Sequence, residues 1–158
     1  MKNVLTGCDE WFGPWFAEKQ GIDYLPGAMQ YIGLFEDGQI LSVCAFDNYN
    51  GANINMHIAS VPGKSWLNRE YLWYCFFYPF EQLKVRRLTG LVAASNLQAR
   101  KFDENLGFTL EATLKDAHPD GDLLVYKMTK DQCRWLNLKD RNNGKAISST
   151  STGLRSSS

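Results

Sequence analysis

The chain has 158 residues, a length that suits one domain able to bury a substantial core. Its 17 Lys and Arg balance 17 Asp and Glu, so no overall basic field favours nucleic acid, although Lys84, Arg86 and Arg87 form a local basic patch. Four widely spaced cysteines without a C-x-x-C pair favour reduced thiols in a cytoplasmic protein over a disulfide framework or a zinc site. The apolar run from Leu72 to Phe80 has about half the length a bilayer crossing needs, and no secretory signal is read at the N-terminus.

In chain order, Met1 to Leu5 reads as a short strand and Asp9 to Gln20 as an aromatic-rich helix carrying Trp11, Phe12, Trp15 and Phe16. Pro26-Gly27 breaks the chain before a three-stranded meander of Met29–Glu36, Gln39–Asp47 and Ala52–Ser60. Asp37-Gly38 is a type I′ hairpin signal, and Asn50-Gly51 marks a second tight turn. In the third strand Asn53, Asn55 and His57 alternate with Ile54, Met56 and Ile58, which puts polar and apolar sets on opposite faces. A helix starting at Ser65 or Asn68 runs toward Leu83, with Pro79 kinking it or splitting off its last turn. Arg87–Val92 is the next strand, expected to join its neighbours by right-handed crossovers with locally parallel pairing.

The best-specified element follows, in Ser95-Asn-Leu-Gln-Ala-Arg-Lys-Phe-Asp-Glu-Asn-Leu-Gly-Phe108. Ser95 and Gln98 match the S-x-x-Q capping box, and Ala99, Phe102 and Leu106 form one apolar stripe. Gly107 stands where a left-handed residue ends a helix, with Phe108 placed to fold back on Phe102. Phe108–Lys115 and Asp122–Met128 read as a hairpin across Asp116–Gly121, and Thr129 with Gln132 as a short capped helix ending near Leu138. Residues 139–158 are rich in Ser and Thr and are expected to be a disordered tail or tether behind a domain of residues 1–138. The order β-α-β-β-β-α-β-α-β-β defines an α/β (α+β) domain built on a mixed sheet.

Asn96, Ala99 and Gly107-Phe108 resemble the signature helix of the GNAT acetyltransferase superfamily, written N-x-x-A…Y-x-x-x-G-F, and the element order is that of the GNAT fold. The wording of Asn48–His57 and Asp116–Asp122 is similar to GNAT-type proteins of bacteriophages and prophages. The resemblance implies acetyl-CoA as co-substrate and direct attack of an amine on the thioester, while neither His57 nor His118 has Cys or carboxylate partners at a metal-ligand spacing, so no metal is expected. The resemblance also implies that two central parallel strands splay, with the pantetheine arm between Ala52–Ser60 and Arg87–Val92, pairing with the backbone of Ile58, Ala59 and Ser60. The diphosphate would lie on the loop Ser60-Val-Pro-Gly-Lys-Ser65, where Gly63 stands for the family's Q/R-x-x-G-x-G/A glycines and Lys64 and Ser65 lead into a helix N-terminus. A plain turn with Ser65 as cap accounts for the same residues, and the spacing excludes a P-loop because Ile58 occupies its first glycine position. Asn96 would meet the pantetheine arm, and Arg100, one turn on, a phosphate or solvent.

Where many members carry a tyrosine that protonates the leaving thiolate, this chain has Asp103, which ionises at neutral pH unless burial raises its pKa. Tyr126 or a water is the alternative acid. His57 is the candidate general base, with a structural histidine as the other reading. Asn53 and Asn55 are placed to orient substrate or water, and Asp116 and His118 to meet an acceptor, although Pro119-Asp120-Gly121 is also an ordinary turn. The function expected is N-acetyl transfer to a small-molecule or protein amine by a monomer or homodimer. The alternatives are a catalytically silent binding module acting in a virion or on a host protein, and modification of a nucleobase amine through the Arg86 patch.

Overall fold

A single seven-stranded sheet in the order β1-β2-β3-β4-β5-β7-β6 organises the computed structural model, which describes residues 1–63 and 68–141. Strands β1 (Lys2–Thr6), β2 (Gln30–Glu36), β3 (Gln39–Asp47) and β4 (Asn53–Ser60) pair antiparallel in succession. Asp37 and Gly38 both take positive φ, 52° and 78°, as the type I′ turn between β2 and β3 requires. The second turn is longer than a two-residue hairpin. The Asn50 side chain accepts the N–H groups of Ala52 and Asn53, and Asn48 and Gly51 supply the positive φ.

The sheet is mixed because β4 and β5 (Arg87–Ala93) run parallel. Strand β5 then pairs antiparallel with β7 (Gly121–Thr129), not with β6 (Thr109–His118), which forms the edge. The expectation of parallel neighbours on both sides of β5 is corrected accordingly: the final hairpin folds its second strand inward. Its turn is also tighter than expected, since the strands reach His118 and resume at Gly121.

Helix α1 (Asp9–Gln20) lies on one face, over β2, β3 and β4. Phe12 reaches the sheet at Gly33, where a Cβ would come within 2.4 Å of its ring. The other face carries the larger core, under α2 (Arg69–Phe77) and α3 (Leu97–Leu106). Asn68 caps α2 by accepting the Tyr71 N–H at 3.0 Å. Pro79 lacks the N–H that an α-helix would use, and the chain passes into a π-helical turn, Tyr78–Gln82, closed by Leu83 N–H to Tyr78 O. No helix among the described residues is long and apolar enough to cross a membrane.

At α3 the cap shifts by one residue from expectation. Asn96, not Ser95, accepts the Ala99 N–H, at 3.1 Å, while Ser95 lies in a turn closed by Asn96 N–H to Ala93 O. The C-terminus follows the expected pattern: Gly107 is left-handed, and the N–H groups of Gly107 and Phe108 return to Glu104 and Asp103. Thr129 and Gln132 do form a capping box, and a 3₁₀ segment at Arg134–Arg141 packs against α2. Of the tail expected at 139–158, residues 139–141 belong instead to this 3₁₀ segment, and the rest lies outside the described residues.

Candidate functional site

Strands β4 and β5 keep step for three rungs only: Asn53 with Arg87, Ile54 with Leu88, Asn55 with Thr89. Beyond them β4 continues against β3 alone and β5 against β7 alone, so two strand edges diverge. The paired rungs are fastened by a polar chain. Thr89 Oγ1 donates to Asn53 Oδ1 at 2.6 Å, Arg87 donates to Thr89 at 3.2 Å, and Arg87 also meets both Glu111 oxygens at 2.9 and 3.1 Å. Lys127 adds to Glu111 at 3.6 Å. Asn53 and Asn55, expected to meet substrate, belong to these paired rungs below the opening, and Asn55 is buried, accepting from Asn53 Nδ2 at 3.5 Å. The polar chain also engages Arg87, one third of the basic patch.

A cavity of about 560 Å³ occupies the opening, lined by Met56, His57 and Ile58 of β4, Leu91, Val92 and Ala93 of β5, and Asn96, Phe102 and Asp103 around α3. Lys19 and Gln20 at the end of α1 and His118 and Asp120 of the last hairpin form its rim. His57 projects to the α1 side, where Phe16 lies 6.4 Å away ring to ring. Its Nε2 is 3.1 Å from Asp47 Oδ1. A carboxylate only accepts, so Nε2 carries the proton, which in the neutral ring leaves Nδ1 as the nitrogen able to accept one. Asp47 was not singled out from sequence. The signal lies in the register: Asp47 faces Asn55 and Ala45 faces His57, so Asp47 is the diagonal neighbour of His57 on one sheet face.

Asp103 approaches from the opposite face. Its Oδ2 lies 3.2 Å from where a Cβ on Gly90 would stand, so a larger residue there would press the carboxyl back by a few tenths of an ångström. Burial pushes the Asp103 carboxyl up to about 7; Glu104 adds to the rise and His57 opposes it. Tyr126 lies outside the cavity lining, fully buried, with its hydroxyl donated to Glu104 at 2.7 Å and held protonated by burial and that carboxylate. Arg100 donates to Ala94 O at 3.2 Å and ties α3 to the preceding turn, also outside the lining.

Of the remaining expected residues, Ile58 and Asn96 line the cavity, as does His118, whose Nδ1 accepts the Asp120 N–H at 3.1 Å. Ala59 is buried under α1, and Ser60 is 3.1 Å from Ser42 Oγ, which also contacts Tyr71 OH at 2.9 Å. That buried cluster anchors the end of β4 to α2. Gly63 takes φ +91 in open space after β4, and Lys64 and Ser65 lie outside the described residues. Asp116 is exposed, away from the lining, with its N–H on Asp122 at 3.0 Å.

No protein-family model matches the sequence, and no curated protein matches it. Solved structures do. A mutant of the spermidine N-acetyltransferase SpeG from Vibrio cholerae superposes with a TM-score of 0.67 at 14% identity, over 86% of this chain and 96% of that one. The N-acetyltransferase PseH from Campylobacter jejuni, in complex with acetyl coenzyme A, gives a TM-score of 0.57 at 20% identity, over 82% and 99%. Sequence divergence at this level leaves architecture as the shared property, and the chain has the fold of the GNAT N-acetyltransferases.

Proposed function

We propose that the protein is an acetyl-CoA-dependent N-acetyltransferase acting on an amine. The observation that carries this reading is the cavity between the diverging edges of β4 and β5, with the His57–Asp47 pair on one side and Asp103 on the other. Two unpaired strand edges are a natural receptor for an extended, amide-bearing chain, which supplies the hydrogen bonds that the strands no longer give each other. The backbone of Ile58, Ala59 and Ser60 and the free amide N–H₂ of Asn96 fit such a chain. Gly63, Lys64 and Ser65 are the residues we assign to its anionic end. Bound acetyl-CoA supplies the activated acetyl thioester.

His57 takes a proton from the amine through Nδ1, with Asp47 orienting the ring and stabilising its cationic form. Asp103 holds a proton near neutral pH and is our choice as donor to the departing sulfur, in place of Tyr126. A carboxyl kept neutral by burial donates where an ionised one would repel the thiolate. Direct calorimetry with acetyl-CoA and CoA tests the proposal. Micromolar affinity for both is expected; no binding at millimolar concentration rejects it and leaves a binding module on an acetyltransferase fold.

A further inference from the structure

Among the described residues, no helix covers the α1-side face of the sheet beyond the end of α1. That helix packs on β2, β3 and β4, while α2 and α3 lie on the opposite face. On a solvent face of an antiparallel sheet polar residues are expected. Here the register instead stacks two apolar rungs, Leu91–Val125–Ala112 and Ala93–Leu123–Leu114, across β5, β7 and β6. Leu91 is 38% and Leu114 44% exposed. The patch is continuous with the cavity, because Leu91, Ala93 and Leu123 also form its wall. His57 projects to this same side.

We propose that this patch seats the acceptor, and that the acceptor is a primary amine carried on an apolar body, its nitrogen in the cavity and its body across Leu91, Leu123 and Leu114. The inference rests on the acetyltransferase reading. The two rungs adjoin the cavity on the face to which His57 projects, and contiguous exposed apolar surface of this kind marks a binding site. The charges around the patch argue against a polycation. Glu111 is neutralised by Arg87 and Lys127, and Asp122 by Lys115, while Lys19 stands at the rim. A chain with several ammonium groups meets carboxylates that are already paired, whereas a single amine nitrogen reaches His57 and Asp120 at the cavity.

The test measures acetyl transfer by the full chain to hexylamine, benzylamine, ethanolamine and spermidine, with the wild type and with Leu114→Lys. Leu114 is already half in solvent, so the substitution leaves the fold intact, which circular dichroism verifies. The two apolar amines are expected to show kcat/KM at least ten-fold above ethanolamine and spermidine. In Leu114→Lys their KM rises about ten-fold, with the KM of acetyl-CoA unchanged. A preference for spermidine or ethanolamine overturns the proposal, as does an apolar preference untouched by the substitution. Light scattering that finds a wild-type dimer dissociated by Leu114→Lys also overturns it and gives the face to a second copy. Loss of acetyl-CoA binding in the calorimetric experiment defeats the transferase reading itself; intact binding with no apolar preference defeats only the acceptor assignment.

Discussion

The two halves of the β4–β5 pair are built from the same strands and behave oppositely. In the first half, Asn53, Asn55, Arg87 and Thr89 link side chains across the rungs and on to Glu111, and the strands stay in register. In the second half Met56, Ile58, Leu91 and Ala93 offer nothing polar to bridge with, His57 turns to Asp47, and Gly90 yields its space to Asp103. The site exists because pairing stops. A polar clamp below and a carboxyl wedged beside the gap turn a sheet defect into a receptor, while β3 and β7 hold the two outer edges rigid.

The sharpest test of that contrast lies in the open half. His57→Ala removes the base and is expected to lower kcat by about a hundred-fold or more, the usual scale for general base catalysis. Acetyl-CoA affinity by calorimetry stays within two-fold, by our rough expectation for a residue that serves the acceptor side. Equal loss of affinity would mean that His57 supports the cleft rather than the chemistry.

Asp103→Asn comes next, with kcat expected to fall on the order of ten-fold or more. An acid works while protonated, so wild-type activity declines as pH rises through about 7, and the variant lacks that limb. An acetyl donor whose thiol is more acidic than CoA needs less protonation and is expected to restore the variant's rate; failure of that rescue removes Asp103 from proton donation. The same carboxyl affects stability. The folded chain retains this proton up to about pH 7 whereas an unfolded aspartate releases it near 3.8, so the folded state binds more protons between those values and loses stability as pH rises through 7. Asp103→Asn is therefore expected to melt above the wild type at pH 8 and close to it at pH 4.

The smallest effect belongs to the closed half. Thr89→Val removes the 2.6 Å donor to Asn53 and is expected to cost about 1 kcal/mol in chemical denaturation, the net worth of one hydrogen bond. Acetyl-CoA affinity should fall modestly if the clamp sets the opening. Unchanged affinity would show that the divergence of β4 and β5 is maintained by β3 and β7 alone.

Much of this was legible in the residues. Periodicity and turn chemistry placed the seven strands and three α-helices of the described residues, because the Asp37-Gly38 turn, the end of α3 at Gly107 and the break at Pro79 are backbone constraints that act locally. The His57 position on the polar side of β4 was legible for the same reason, since alternation along a strand is local. Which of two adjacent residues caps α3 was not, because Ser95 and Asn96 are both good caps and the turn from Ala93 decided between them. Equally hidden were the insertion of β7 beside β5, the Asp47–His57 pair, the engagement of Asn53 by Thr89, and the burial that keeps Asp103 protonated near neutral pH. Each depends on residues far apart in the chain that meet only after the sheet has assembled. The sequence by itself thus determined the elements, their order and the candidate base. Only the tertiary structure decided where two strands part, which polar groups are spent holding them together, and which carboxyl faces the space between them, because pairing and desolvation are properties of neighbours and not of the residue.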